Sequence, residues 1–247
     1  MKITVVGLGP GAGADLTGRA YDAIQEAELV VGYTAYIALI REAFPEKEMR
    51  DTGMRREVDR CRLALEEAAK GRRVAVVCSG DSGVYGMAGL IYELSREFPP
   101  MEIEVVPGIT AACGGAAVLG APLTHDFAVI SLSDLMTPWE KIEKRLQCAA
   151  EADFVICLYN PRSRHRADYL RRACDILLRS KGEETVCGFV KNIGRPGERA
   201  VTLTLKELRD NKDVDMFTTV YIGNGQTVLL DGKMVTPRGY LQREERA

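Results

Sequence analysis

The chain of 247 residues has room for one large α/β domain or two smaller ones. Its 33 Lys and Arg against 35 Asp and Glu leave a net charge of −2, which gives no electrostatic footing for nucleic acid or an anionic membrane. Hydrophobic residues make up 46% and charged ones 28%, a globular profile, and no stretch approaches the roughly 18 apolar residues of a membrane span.

Residues 1–11 have neither the long apolar region nor the small-residue cleavage site of a secretory signal, so a cytoplasmic location is expected. Ile3-Thr4-Val5-Val6 reads as a strand, and 17–27 as a helix capped by Asp15 or Thr17. Leu29-Val30-Val31 is a second short strand. Over 57–69, Val58, Cys61, Leu65 and Ala68 recur at helical spacing. Residues 73–78 run without a polar interruption after Arg73, as in a strand covered on both faces. A helix over 83–98 stops at Pro99-Pro100, and Ile103-Glu104-Val105-Val106 is the next strand. A small-residue helix over 110–119 leads through Gly120 and Pro122 into a second half. There the strand candidates are 128–132, 154–158, 185–190, 200–205 and 218–222, and the helices 139–150 and 166–179. An Asp231-Gly232 turn joins Val228-Leu229-Leu230 to Met234-Val235 as a terminal hairpin. The pattern predicts two α/β lobes, 1–118 and 119–247, each a mostly parallel sheet covered by helices and hinged near 116–124. The charged tail after Arg243 is expected to fray.

Three predicted strands end in glycine turns. Gly7-Leu8-Gly9-Pro10-Gly11-Ala12 matches a relaxed G-x-G-x-x-G/A pattern, but a dinucleotide site needs a helix opening at the loop and an acidic residue ending the second strand. Pro10, Gly11 and Gly13 lengthen this turn, and the second strand ends Val31-Gly32-Tyr33. That argues against a nicotinamide cofactor and for another adenosine-containing ligand, or for a turn with no ligand. In the second turn, Ser79-Gly80-Asp81-Ser82-Gly83-Val84-Tyr85-Gly86, Asp81 either accepts from an amine or ribose hydroxyl or caps the next helix. In the third, Val106-Pro107-Gly108-Ile109-Thr110-Ala111, Thr110 is a cap, a ligand contact or both. Ligands of open parallel sheets gather outside the carboxyl ends of strands, so three such turns in one lobe say more than any one.

The seven cysteines include no pair at Cys-x-x-Cys spacing, and neither His125 nor His165 lies near a Cys pair. No metal site is expected, and Cys78, Cys157 and Cys187 read as small buried hydrophobes.

Taken in order, these glycine turns and Gly120-Ala121-Pro122-Leu123-Thr124 resemble the tetrapyrrole methylases. The resemblance extends to Thr218-Thr219-Val220-Tyr221-Ile222-Gly223-Asn224 and departs at Ser82, where the family often has Pro. Residues 123–134, Leu158-Tyr159-Asn160-Pro161-Arg162-Ser163 and Lys191-Asn192-Ile193-Gly194-Arg195 resemble the precorrin-3B C-17 methyltransferases in particular. The resemblance implies S-adenosylmethionine as cofactor, a homodimer, and a tetrapyrrole substrate that is methylated and contracted, with cofactor and substrate in the cleft between lobes. It places Leu8, Gly9, Pro10, Gly80, Asp81, Val84, Tyr85, Thr110, Ala111, Tyr159, Asn160, Thr218 and Ile222 around the cofactor.

Methyl transfer from a sulfonium needs alignment rather than a nucleophilic side chain. Contraction needs proton movement, for which His125 and Asp126 are the candidates and Asp134 a weaker one. Arg162, Arg164, Arg166 and Arg195 are candidates for pairing with the acetate and propionate groups of such a ring. The competing expectations are a family member acting on another precorrin position or on ribosomal RNA, a nicotinamide-dependent oxidoreductase, and a silent cofactor-sensing module.

Overall fold

A computed structural model describes residues 1–11, 13–163 and 165–240; Ala12, Arg164 and the tail predicted to fray lie outside the described residues. The chain divides into two compact units, 1–111 and 112–247.

The first unit opens with β1 (Lys2–Gly7), α1 (Gly18–Glu26), β2 (Leu29–Tyr33), α2 (Thr34–Ile40) and β3 (Glu48–Thr52). It continues with α3 (Glu57–Ala69), β4 (Arg73–Cys78), α4 (Ala88–Ser95) and β5 (Glu102–Val106). The sheet order is β3-β2-β4-β1-β5, and every pairing is parallel. Alternation along each strand feeds two cores. Ile3, Val5, Val74 and Val76 pack with Cys61, Leu65 and Ile91 of α3 and α4. Val6, Val30, Ala75 and Val77 pack with Ile24 and Ile37 of α1 and α2. Covering both faces is why β4 reads as an uninterrupted apolar run.

Thr17 caps α1, its hydroxyl accepting from Ala20 N at 3.1 Å. Helix α4 starts five residues later than its apolar pattern predicts, because residues 83–87 are wound into a turn. Asp81 Oδ1 accepts from Gly83 N and Val84 N, and Tyr85 takes the left-handed φ of 56°.

Near-buried Glu67, on α3, accepts from Lys70 Nζ at 2.8 Å and Arg72 Nη1 at 3.0 Å. Those two bonds, Lys70's first, hold its carboxyl at about 2 against an ordinary 4.5. A folded-state value below the unfolded one means that this stabilisation is complete above 4.5 and is lost as pH falls through about 2. Glu67→Gln is therefore expected to lower the urea midpoint at pH 7 and to converge on wild type as pH drops through that window. A difference that stays constant down to the acid limb would remove Glu67 from the acid response.

The second unit begins in α5 (Ala111–Leu119), followed by β6 (Gly120–Ala121), β7 (Phe127–Ser131), α6 (Trp139–Glu151), β8 (Val155–Tyr159) and α7 (Tyr169–Leu177). Then come β9 (Val186–Lys191), β10 (Arg199–Thr204), α8 (Leu205–Arg209), β11 (Thr218–Ile222) and the hairpin β12 (Val228–Leu230) with β13 (Lys233–Val235). The main sheet runs β10-β9-β11-β8-β7.

The α/β class and a parallel first sheet agree with expectation, but a mostly parallel second sheet does not. Only β7 and β8 pair in parallel; β8–β11, β11–β9 and β9–β10 are antiparallel. The segment 192–198 between β9 and β10 is too short for the helical crossover that parallel neighbours require. Ile142, Leu146, Leu170, Leu177, Leu205 and Leu208 of α6, α7 and α8 pack with Ile156, Leu158, Val220 and Ile222 on one face. Helix α5 meets the other face, where a Cβ on Gly188 would lie 2.9 Å from Leu119 Cδ1. That packing places nearly all of α5 with the second unit: the compact units divide after its first residue, Ala111, whereas the sequence reading divides the chain after 118.

Among the described residues no helix is long and apolar enough to cross a membrane, and no group of three or more His, Cys, Asp or Glu is placed to hold a metal ion.

Candidate functional site

In the first unit the carboxyl ends of β4, β1 and β5 are neighbours, and their turns are tied together. Leu8 N donates to Cys78 O at 2.8 Å, Gly9 N to Gly80 O at 3.1 Å and Gly80 N to Gly9 O at 2.7 Å. Asp81 Oδ2 accepts from Gly108 N at 3.0 Å, so one carboxylate serves both the second and third turns. Ser82 is fully buried and its hydroxyl donates to Val106 O at 3.0 Å, a bond that a proline there has no group to make. A Cβ on Gly7 would lie 2.6 Å from Gly108 N, and one on Gly108 would lie 2.3 Å from Gly80 O. The glycines are needed because backbone meets backbone.

Leu8, Gly9, Pro10 and Gly80 are buried, and Leu8 packs into the core, so its backbone alone is available to a guest. Val84, Tyr85 and Ile109 project exposed apolar surface from the second and third turns. Thr110 and Ala111 lead into α5. Backbone polar groups beside exposed apolar side chains suit an adenosine, which presents a flat ring and hydroxyls. Helix α1 opens at Gly18, well after the first turn, so its amides do not start at the glycines as a dinucleotide site requires.

The second unit separates its candidates between two edges of its sheet. Ser131 pairs with Tyr159, and Thr218 with Lys191, so Ser131, Tyr159, Asn160, Thr218 and Lys191 share the edge where β7 and β8 end. Tyr159 Oη accepts from Ala112 N at 2.7 Å, and Asn160, at φ 52°, donates from Nδ2 to Ser131 Oγ at 3.0 Å. Thr218 donates to Asp215 Oδ1 at 2.9 Å, and Lys191 Nζ lies 2.5 Å from Asp215 Oδ2. Burial favours the neutral acid at Asp215, but Lys191, Phe217 N–H and the Thr218 hydroxyl together hold it below the usual carboxylate range. Ile222 lies in the core, paired by backbone to Ile156 and Cys187, and has no surface to offer a ligand.

His125 and Asp126 precede β7 and therefore lie at the opposite edge, beside the residues that precede β8 and follow β11. With Asp153, Phe154, Asn224 and Gln226 they line an open depression of about 210 Å³. The length of β7, roughly 13 Å at about 3.3 Å per residue, separates that edge from Ser131. His125 Nδ1 accepts from Asp126 N at 3.1 Å. Asp153 accepts from nearly buried Lys181 Nζ at 2.9 Å and from Gly225 N, contacts that hold its carboxyl down against the opposing effect of burial.

Asp134 lies beyond β7 on the Tyr159 edge, where Tyr169 Oη donates to its Oδ2 at 2.5 Å and Arg166 Nη1 stands 3.9 Å from Oδ1. Arg162 Nη1 donates to Lys212 O at 3.4 Å, and Arg195 N to Asn192 O at 2.9 Å; Arg164 lies outside the described residues. The sequence carried no signal for Tyr169 as a partner of Asp134, because the two are distant along the chain. Burial pushes Cys61 to about 12, Cys78 to about 11 and Cys174 to about 12, so none of these is a ready thiolate.

The sequence profile of the Tetrapyrrole (Corrin/Porphyrin) Methylases matches residues 2–209. The chain belongs to this family. The methylase is 50% identical to a probable cobalt-factor III C(17)-methyltransferase of Salmonella typhimurium, over 96% of its own length and 99% of the relative's. It is 39% identical to a precorrin-3B C(17)-methyltransferase of Sinorhizobium sp, over 96% of each chain. Among solved structures, the methyltransferase CobJ superimposes with a TM-score of 0.88 at 40% identity, covering 95% of the methylase and 99% of CobJ. A uroporphyrin-III C-methyl transferase from Thermus thermophilus, complexed with S-adenosyl homocysteine, gives a TM-score of 0.69 at 25% identity over 90% and 92%. Tetrapyrrole methylases use S-adenosylmethionine, and this methylase is a methyltransferase with that cofactor.

Proposed function

We propose that the methylase transfers a methyl group to C-17 of a cobalt-factor III or precorrin-3B macrocycle and contracts the ring, in cobalamin biosynthesis, as a cytoplasmic homodimer. The observation that carries the substrate is 50% identity, over nearly the whole of both chains, to the cobalt-factor III relative. That value, against 39% for the precorrin-3B relative, favours the cobalt-bearing ring. The exposed apolar run Val228-Leu229-Leu230 on the edge strand β12 supports the dimer.

S-adenosylmethionine supplies a methyl group on a positively charged sulfur that departs as a neutral thioether. The turns after β1, β4 and β5 would hold it, with the Gly9 and Gly80 carbonyls offering the lone pair that each keeps beside their mutual hydrogen bonds and Val84, Tyr85 and Ile109 facing its apolar parts. Asp81 keeps these turns in register. Tyr159, Asn160 and Thr218 share the sheet edge that carries Arg162, Arg195 and exposed Phe217, a mix of cationic and apolar surface suited to a flat polycarboxylate. Asp134, oriented by Tyr169, is the proton-moving group, since it shares that edge and His125 does not.

Incubation with the donor and either cobalt-factor III or precorrin-3B is expected to add one methyl by mass and to change the absorption spectrum. No mass gain with either ring would overturn the reading. His125→Ala is expected to form contracted product at a rate within about twofold of wild type, while Asp134→Asn loses roughly 100-fold in contraction and keeps its donor affinity. The reverse pattern would return the proton role to His125.

A further inference from the structure

On the α5 face of the second sheet, two tyrosine hydroxyls converge on one residue. Tyr221, on β11, is fully buried and donates from Oη to Ala112 O at 2.9 Å. Tyr159, on β8, accepts at Oη from Ala112 N at 2.7 Å. The two strands are neighbours, with Tyr221 opposite Cys157, so both rings rise from one rigid ladder. Gly115, one turn further along α5, leaves the space for this. A Cβ there would lie 2.3 Å from Tyr221 Oη and 3.1 Å from its ring carbon Cζ. Burial pushes the Tyr221 phenol far above its ordinary value, so it remains a protonated donor at any physiological pH.

Ala112 follows Thr110 and Ala111 directly, and these open the first turn of α5. Its N–H is among those that no helical carbonyl can satisfy, and the Tyr159 oxygen is the acceptor that serves it. A helix whose first turn is fixed at both the N–H and the C=O of one residue cannot swing or unwind there. We propose that Tyr221, with Tyr159, is a positioning residue for the methyl donor, acting through Ala112 to fix the turn formed by Thr110 and Ala111. This rests on the reading that the strand-end turns hold the donor. It reassigns Tyr159 from a donor contact to a clamp, and it gives Gly115 the role of admitting the Tyr221 hydroxyl.

The test is donor affinity by titration calorimetry on the full chain, with binding stoichiometry read from the same curves. Tyr221→Phe keeps the ring and removes one hydrogen bond, so Kd for S-adenosylmethionine is expected to rise roughly three- to tenfold with stoichiometry unchanged. Tyr159→Phe, which leaves Ala112 N without its acceptor, is expected to shift Kd the same way. A purely structural role would lower the competent fraction, and hence the stoichiometry, while the folded molecules kept their affinity. Gly115→Ala is expected to weaken binding in wild type and to cost less in the Tyr221→Phe background, where the nearest clashing atom is gone. Wild-type Kd in folded Tyr221→Phe and Tyr159→Phe overturns the proposal; if Tyr221→Phe does not fold, Tyr159→Phe alone decides. A wild-type protein that fails to bind the donor overturns the reading beneath it, which is a separate outcome.

Discussion

Gly108→Ala is expected to abolish measurable methyl transfer and to weaken donor binding by roughly 100-fold, as a displacement of about 1 Å in a positioning element does. The new Cβ would sit 2.3 Å from Gly80 O and 2.7 Å from the carbonyl carbon and oxygen of Gly7. All three atoms are backbone, so no side chain can rotate away. Relief requires the turns after β1, β4 and β5 to move apart, which breaks the Gly9–Gly80 pair of hydrogen bonds. Overpacking of this kind costs about 1–3 kcal/mol, or a melting temperature lowered by roughly 2–12 °C in a chain of this size. Calorimetric titration with S-adenosylmethionine and a thermal melt check both effects. Wild-type affinity in a folded Gly108→Ala variant would show that the donor does not depend on the junction of these turns.

Asp81→Ala is expected to lower stability by about 2–3 kcal/mol and donor affinity by at least tenfold, because three backbone N–H groups lose one acceptor together. Gly83 N and Val84 N lose Oδ1, and Gly108 N loses Oδ2. The Gly83 and Val84 groups are near solvent and recover part of their bonding from water, which keeps the cost below the sum of three charged bonds. Asp81→Asn separates the two functions. Its carbonyl can still serve Gly83 and Val84, whereas its amide turns a donor toward Gly108 N. An intermediate loss in urea melts, with donor affinity close to that of Asp81→Ala, is the expected pattern. Equal affinity in wild type and Asp81→Ala would mean that the Gly9–Gly80 pair and the Ser82–Val106 bond hold the turns unaided.

Much of the first unit was legible because its strands are buried on both faces. Residues 73–78 show an apolar run bounded by charge and glycine, and the strand β4 occupies that run. Strand β3 was not legible: Glu48-Met49-Arg50-Asp51-Thr52 is a charged edge strand, and its pairing with β2 rests on backbone bonds that leave no hydrophobic pattern. The start of α4 was not legible for a different reason. Helical periodicity continued back to Gly83, but the Asp81 carboxylate captured the amides that would have opened the helix.

In the second unit, strand positions could be read but strand directions could not. Whether Tyr221 points at α5 or at α7 depends on pairing register, and register depends on partners far away in sequence. The placement of His125 and Asp126 had a usable signal. They precede a strand, whereas the glycine turns, Tyr159 and Asn160 follow one, and ligands of parallel strands gather at the following end.

The sequence by itself determined the α/β class and the three glycine turns, because these depend on local backbone freedom and on apolar runs that neighbouring residues specify; the methyl donor followed only from the family that those turns resemble. The tertiary structure alone decided that the second sheet is mostly antiparallel and that Asp81 ties turns rather than caps a helix. It also brought Tyr169 to Asp134 and two tyrosines to Ala112. Each of these is a meeting of groups from separate strands, turns or helices, and only packing can bring such groups together.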